Sequence, residues 1–363
     1  GHMQAEASWK AFRETTPHKR PLIISHSTFI GSGKYAGHLH TAGDTGCSGD
    51  AIRASIAKIV ELSLVGIPYA GVKMPQDFSQ CSDTIQARWL QLAALFPLST
   101  FPLPHSLDAD TSEPDTKAIN ASEEVLKLRA MLLPYLHALF FDAHTQGTPV
   151  ARPLFYEFSE DRNVFQVHQQ FMLGPAVLIS PATDEEDQME AYFPYGNWYN
   201  LRTGEAIQTM EGSHVKLPTA PNPHIHVRGG HIVPLLNTTG KTSLELFAAP
   251  GFNGGATGRV SLDDDSEIYS DDDSNSGTSR KMIFTLSKED DSYTLSIVLE
   301  PSVPTGNVHA DVVVGSIRIP GIAKPPRVTM DGKDLAGSSV YYRGNVLHLH
   351  LDLPLGNHTI QIK

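Results

Sequence analysis

Four side chains that can transfer protons follow a short apolar run near the start of the chain. Residues 21–24 are apolar, and the Gly-rich stretch after them carries His26, His38, His40 and Asp44. Imidazole and carboxylate groups are common general acids and bases, and together they can move a proton to and from a bound molecule. The sequence therefore predicts acid/base chemistry just beyond a buried strand.

Strands and helices alternate over the first 158 residues, and this alternation would position such a site. We predict strands over 21–29, 67–72 and 149–158, and helices over 51–66, 83–97 and 120–147. Strand–helix–strand alternation indicates parallel strands joined by crossover helices.

The pattern changes at about residue 164, where short alternating runs are separated by Gly, Pro and Asn. This texture is typical of antiparallel β-structure, and we expect a sandwich. Residues 282–300 predict a hairpin, and residues 345–363 predict two closing strands. The stretch 237–243, "NTTGKTS", is predicted to be a linker between two β-domains.

The composition excludes several classes of partner. The chain has 363 residues and a formal net charge of −12, which argues against nucleic acid or an anionic membrane surface as a main partner. No apolar stretch approaches the length of a membrane-spanning helix. The two cysteines show no zinc-ligand spacing, and we expect neither a metal nor a cofactor.

The cysteines and the sequons leave the compartment open. Cys47 and Cys81 could form one disulfide, remain free, or supply a reactive thiol if a base lies beside one of them. Sequons at Asn120, Asn237 and Asn357 would permit glycosylation in a secreted protein. Localisation is therefore unassigned, with the secretory pathway weakly favoured.

The chain resembles glycoside hydrolase family 31, the α-glucosidase family, over most of its length. The resemblance rests on "RPLIISHSTFIGSGKYAGH", "GIPYAG", "RWLQLAALFP", "LRAMLLPYLHALFFDAHTQGTPVARPLFYEF", "QQFMLGPAVLISP", "WYNLRTG" and "HVRGGHIVPL", in the family's order. It implies an α/β plus all-β fold. The last three or so strands of a (β/α)8 barrel would occupy residues 4–160, a proximal β-sandwich 161–240, and a distal β-sandwich 241–363.

The resemblance also assigns the reaction chemistry. Family 31 retains configuration at the sugar, which requires a nucleophilic carboxylate and a general acid/base. The "W-x-D-M-N" segment of the nucleophile does not occur in this sequence, whereas the acid/base corresponds to Asp44. That match requires two inserted residues after His38. A displacement of about 1 Å at a catalytic group can cost orders of magnitude in rate.

The sugar-binding positions implied by the resemblance have changed. His26 replaces the family Arg, and Lys73 replaces the family Asp, which reverses a charge. His105 is the candidate for the family His, and we also assign substrate contacts to His40, Asp77 and Arg88. These changes predict that glucose is not bound in the family's usual pose.

Two functions follow, and whether the chain is an enzyme stays open. In the first, the scaffold is repurposed for non-hydrolytic acid/base chemistry on a small molecule, such as isomerisation, cyclisation or elimination, by Asp44, His26, Lys73 and His38. In the second, the protein is a non-catalytic pseudoenzyme, or a fragment or subunit of an α-glucosidase. A partner chain or a homo-oligomer would then cover the open barrel edge. Ordinary α-glucosidase activity is not expected from this chain alone.

Overall fold

The computed structural model describes most of the chain. Described are residues 1–16, 21–41, 46–75, 81–100, 116–219, 223–237, 243–262, 280–300, 312–323, 327–335 and 337–363. The helices in these ranges are α1 His2–Thr15, α2 Gly49–Leu64, α3 Asp83–Ala93, α4 Thr116–Gln146 and α5 Leu154–Glu157. None of them combines the length and apolarity needed to cross a membrane.

A small parallel sheet forms the N-terminal part. Its strands, in sheet order, are β1 Ile24–Ser25, β2 Gly37–Thr41 and β3 Ala70–Lys73. Helix α2 connects β2 to β3 and begins where the Ser48 side chain accepts a hydrogen bond from the Ala51 amide. The helix ends before Gly66, whose φ of 82° suits a residue without a side chain.

A fourth segment, residues 98–100, is hydrogen-bonded to β3 without being a regular strand. The Leu98 amide donates to the Ala70 carbonyl at 2.9 Å, and the Thr100 hydroxyl donates to the Val72 carbonyl at 3.4 Å. The segment follows α3, so the strand–helix alternation runs once more than β1–β3 alone suggest. The parallel part of the fold thus resembles part of a barrel wall.

The strand predicted over 149–158 does not join the parallel sheet. Only β4, Ala151–Arg152, is extended, and it pairs antiparallel with β5, Phe171–Leu173. Pro153 then caps the short helix α5. The prediction was wrong because an apolar run of this length fits a buried strand of either sheet, and pairing partners are not local information.

The next strands are β6 Val177–Ser180, β7 Gln188–Phe193, β8 Gly196–Asn200, β9 Ala206–Thr209, β10 Ser213–Pro218 and β11 His224–Arg228. Together with β4 and β5, four of them form an antiparallel sheet of six described strands, in the order β4-β5-β6-β11-β8-β9. A separate two-stranded ribbon pairs β7 with β10.

The strands of the C-terminal part are β12 His231–Asn237, β13 Ser243–Ala249, β14 Ala256–Leu262, β15 Arg280–Glu289, β16 Ser292–Leu299, β17 Val313–Pro320, β18 Val328–Met330, β19 Lys333–Asp334, β20 Val340–Arg343, β21 Val346–Pro354 and β22 His358–Ile362. Over the residues that the structure describes, these eleven strands form one sheet, mostly antiparallel, in the order β19-β18-β22-β16-β15-β14-β12-β13-β17-β21-β20. The predicted hairpin over 282–300 is confirmed as the pair β15–β16.

Strands β12 and β13 lie between two hydrophobic cores. Val233, Leu235 and Phe247 pack with residues of the N-terminal part, whereas alternate residues such as Ile232 and Leu246 pack within the C-terminal part. These two strands flank the predicted linker and pair with each other from His231 to Ala249. Residues 238–242 lie outside the described residues, and the domain boundaries stay a prediction.

His226 gives this fold a pH dependence. The β11 side chain is 2% exposed and its Nδ1 has no hydrogen-bond partner among the described residues. The Phe193 ring lies 4.8 Å away, centroid to centroid. Burial, and to a lesser degree His224, lowers the pKa of His226 from 6.5 to about 3. His226 is therefore protonated less readily in the folded protein than in the unfolded chain.

We expect acid to destabilise the protein through this residue. The contribution is fully present above the unfolded pKa of 6.5 and is lost progressively as the pH falls from 6.5 towards 3. It amounts to about 2 kcal/mol by pH 5. Measured by urea unfolding, the free energy of unfolding should fall less between pH 7.5 and pH 5.0 in His226→Leu than in wild type. His168 is exposed, so His168→Gln serves as the control. If the free energy of unfolding falls as much in His226→Leu as in wild type, the prediction is wrong.

Candidate active site

The two faces of the parallel sheet differ in chemistry. His38 and His40 of β2 align with Ala70 and Val72 of β3, and those two β3 residues pack with the buried isoleucines of α2. Because side chains alternate along a strand, Leu39, Thr41 and their partners Gly71 and Lys73 lie on the opposite face. In a barrel the helices pack outside, so Lys73 lies on the inner face and both histidines on the helix side.

His38 is held in a buried position. Its Nδ1 lies 3.1 Å from the Thr28 hydroxyl, and its side chain is 5% exposed. Burial lowers the pKa of His38, and the neighbouring His40, Lys58 and His26 lower it further. The ring is therefore neutral near pH 7 and acts as a hydrogen-bonding group rather than as a cation.

His40 lies next to it on the same face. The two ring centroids are 6.0 Å apart and the rings are stacked. Burial and the α2 residue Lys58 lower the pKa of His40, while Glu61 opposes them. This environment fits a polar contact between the sheet and α2. A substrate contact by His40, as predicted, would have to be made on the helix side.

His26 is exposed at the carboxyl end of the sheet. It follows β1 directly, and its Nδ1 lies 2.7 Å from the Leu39 carbonyl oxygen. A carbonyl oxygen only accepts, so Nδ1 carries the proton and donates it. In the neutral ring Nε2 then carries the lone pair, which is the arrangement a general base needs.

Lys73 ends β3 at the same end of the sheet. It is half-buried and aligns with Thr41, two residues beyond the Leu39 carbonyl that holds His26. The structure thus places His26, just after β1, and Lys73, in β3, at the same end of the sheet. Strand β2 lies between them and carries His38 on the other face. Among the described residues of the inner face, Leu39, Thr41, Gly71 and Lys73, there is no carboxylate.

Three predicted site residues lie outside the described residues: Asp44, Asp77 and His105. The described chain resumes after Asp44 at Gly46, whose carbonyl accepts a hydrogen bond from the Trp89 indole at 2.5 Å. The roles of all three residues stay predictions. In the described part of the chain, no group of three or more His, Cys, Asp or Glu side chains is arranged to hold a metal ion.

Comparison with known proteins gives this sheet its context. A family model described as the glycosyl hydrolases family 31 TIM-barrel domain matches residues 1–139, and one described as the family 31 C-terminal domain matches residues 147–233. The chain belongs to glycoside hydrolase family 31. Its parallel sheet is accordingly part of a family 31 barrel.

Curated family 31 relatives are similar in sequence but much longer. An α-glucosidase of Aspergillus oryzae is 33% identical over 97% of this chain, a match that covers 35% of that protein. The human probable maltase-glucoamylase 2 is 36% identical over 73% of this chain and 11% of its own length. The chain therefore spans about a third or less of these relatives.

Solved family 31 structures share the fold. A glucosidase II α subunit superposes with a TM-score of 0.81 and 20% identity, covering all of this chain and 42% of that one. A Flavobacterium johnsoniae family 31 dextranase in complex with glucose superposes with a TM-score of 0.80 and 19% identity, covering 99% of this chain and 48% of the dextranase. At these identities the likeness describes the fold alone.

The two cysteines of this family 31 chain are joined. Cys47 and Cys81 form a disulfide, with their Cα atoms 4.8 Å apart. The bond links the segment after β2 to the segment before α3. Of the three alternatives left by the sequence, the structure selects the disulfide, and a reactive thiol is therefore ruled out in this state.

Arg88 was predicted from the sequence as a site residue, whereas Thr28, Lys58 and Glu61 were not. Arg88 lies in the middle of α3 and is buried, and burial lowers its pKa. Its predicted substrate contact stays a prediction. Thr28, the partner of His38, was missed, and only its position two residues after His26 could have suggested it. Lys58 and Glu61 beside His40 were missed because they come from the helix that packs behind the sheet.

Proposed function

We propose that this chain supplies one side of a family 31 sugar-processing site and needs further barrel strands, from another polypeptide segment, to complete it. One observation carries the proposal. Strand β1 is the edge of the described parallel sheet; its Ile24 is 42% exposed, and Leu22, just before it, is 69% exposed. An apolar edge of this kind calls for a covering segment.

The side chains of the inner face support a half-site. Retaining hydrolysis of a glycoside needs two carboxylates on opposite sides of the bond. The described residues of this face offer none, and Asp44 is the carboxylate we propose as acid. We propose that the nucleophile comes from the segment that completes the barrel. His26 and Lys73 would then meet the substrate from this side.

A second candidate is favoured by the same two residues. By resemblance, His26 and Lys73 replace an Arg and an Asp that hold sugar hydroxyls, and both replacements are titratable rather than apolar. With Nδ1 held by the Leu39 carbonyl, His26 can offer Nε2, and Lys73 its Nζ, at one end of the sheet. This pair supports non-hydrolytic acid/base chemistry on a small molecule, with Asp44 and His38 as the other predicted participants.

The architecture we propose follows the same division. Residues 4–160 would form the last three or so barrel strands, 161–240 the proximal sandwich and 241–363 the distal sandwich. The covering partner would be a second polypeptide segment or a copy of this chain. The negative net charge disfavours nucleic acid and anionic membranes as partners. The disulfide fits an oxidising compartment, which supports secretion.

We expect the purified chain alone not to release glucose from maltose or p-nitrophenyl α-glucoside at any pH from 4 to 8. The physical reason is the requirement for a carboxylate pair. The measurement is product formation over hours with His26→Ala and Lys73→Ala in parallel. Turnover that disappears in either variant would contradict the half-site and establish a self-sufficient enzyme.

The exposed edge provides the structural control. An apolar-surface dye should bind wild type, and Leu22→Asp with Ile24→Asp should reduce the signal. Met210→Asp is the matched control, because Met210 is 68% exposed but lies after β9. If dye binding or self-association is the same in the edge variant as in wild type, β1 is not the surface that requires a cover.

A further inference from the structure

Two exposed aromatic rings form a pair on the β-sheet part of the molecule. Tyr195 lies in the turn between β7 and β8, and Phe252 lies in the loop between β13 and β14. Their ring centroids are 5.1 Å apart and their planes meet at 42°, which makes an open V. The side chains are 54% and 44% exposed. Because the rings are splayed rather than stacked, the pair presents two apolar ring faces to solvent at one place.

The loop that carries Phe252 is fixed by its own backbone. The Gly251 amide donates to the Gly255 carbonyl at 2.8 Å, and the Gly254 amide donates to the Gly251 carbonyl at 2.9 Å. The Asn253 side-chain oxygen accepts from the Gly255 amide. Gly254, with φ of 77°, packs against the Lys288 stem where a side chain would clash. The Phe252 ring is therefore presented by an ordered loop.

Strand β8, which follows Tyr195, is bonded to the start of the same loop. The Asn197 side-chain amide and the Tyr199 hydroxyl both donate to the Pro250 carbonyl, at 3.5 and 3.0 Å. The Asn197 backbone carbonyl accepts from the Gly229 amide at 2.7 Å. Because the two ring-bearing segments are held together before any ligand arrives, binding would cost little conformational entropy.

The chemistry of the pair selects its ligand. Each ring offers an apolar face, while the Asn253 amide and loop carbonyls lie beside Phe252, so the ligand needs apolar faces and polar edges. A pyranose ring has both. The exposed parts of two such rings amount to about 200 Å², far below the ~800 Å² per partner of a stable protein interface. We propose that Tyr195 and Phe252 bind a neutral oligosaccharide, on elements that do not belong to the parallel sheet.

The test is saturation-transfer NMR and calorimetry with maltoheptaose, isomaltotriose and cellopentaose at millimolar concentration. Wild type should bind at least one of them, and Tyr195→Ala with Phe252→Ala should weaken that binding by about tenfold or more. Phe252→Tyr keeps a ring and should retain binding. Phe165→Ala is the matched control, because Phe165 is an exposed ring on the 3-10 helix Arg162–Gln166 and stacks on Phe155.

The variant Lys73→Ala shows whether a sugar binds at the Tyr195/Phe252 pair or at the proposed site on the parallel sheet. Binding that survives Lys73→Ala and falls in the Tyr195/Phe252 variant, with unchanged melting temperature, supports the proposal whether or not the proposed function holds. Three outcomes overturn it: no binding of any of the three sugars by wild type, equal binding by the double variant, or loss of binding only in Lys73→Ala. In the last case the sugar occupies the parallel sheet instead.

Discussion

Replacing Cys47 and Cys81 together by Ser is expected to lower the free energy of unfolding by about 4 kcal/mol. The disulfide closes a loop with a sequence separation of 34, and a cross-link of that length removes about this much conformational entropy from the unfolded chain. The effect should appear in chemical denaturation near neutral pH as a lower midpoint, with a larger slope if the reduced unfolded chain is more expanded.

Reduction supplies an independent version of this experiment. Wild type treated with a strong reductant should unfold like the double Ser variant, and reductant should not change that variant. The double change is needed because either single variant leaves an unpaired thiol that can form disulfides between molecules. Equal midpoints for oxidised and reduced wild type would show that the unfolded loop is already restricted, or that native strain offsets the gain.

Local periodicity was sufficient for the helices and for the simplest pairings. The helix predicted over 51–66 is observed as Gly49–Leu64, because Ile52, Ile56 and Ile59 place one apolar stripe against the sheet. The hairpin over 282–300 was equally local, since a turn at Asp290 and Asp291 fixes its register. In both cases the residues that determine the structure are close together in the sequence.

Pairing between distant segments was not predictable in the same way. The two strands expected near the C-terminus exist as β21 and β22, yet β21 pairs with β17 and β20, while β22 pairs with β16 and β18. Strand β2 was not predicted, because its Gly, His and Thr residues do not form an apolar run. Such pairings depend on which apolar faces meet in the folded chain.

The candidate site depended on the unpredicted strand. Once β2 is known, alternation along it places His38 and His40 on the helix side, whereas Lys73, the β3 partner of Thr41, lies on the inner face. His26 and Lys73, which are far apart in sequence, instead come to the same end of the sheet. A functional assignment in this fold therefore has to follow strand faces rather than sequence proximity.

Replacing Glu157 by Ala is expected to cost about 3–5 kcal/mol of stability, because it leaves two arginines without their counter-charge in a largely buried cluster. The Glu157 carboxylate accepts from Arg152 at 2.5 Å and from Arg228 at 3.3 Å, and it is only 12% exposed. The Arg228 guanidinium also lies 4.3 Å from the centre of the Phe158 ring. Burial lowers the pKa of Arg228, whereas the Glu157 carboxylate raises it. The carboxylate therefore helps to keep the Arg228 guanidinium charged. Urea denaturation of Glu157→Ala and wild type would measure the loss.

We attribute the loss of stability in Glu157→Ala to the unpaired arginine charges rather than to the missing side-chain volume. Matched variants distinguish these two causes. Glu160→Ala removes a neighbouring exposed carboxylate and should change stability by less than about 0.5 kcal/mol. Glu157→Gln keeps the size but not the charge and should lose nearly as much as Glu157→Ala. Adding Arg228→Met to Glu157→Gln should recover part of the loss, because one of the two unpaired cations is gone. If Glu157→Gln is as stable as wild type, the arginines are held by their other contacts, such as the Pro149 carbonyl that accepts from Arg152 Nε at 2.7 Å, and Glu157 is not the centre of the cluster.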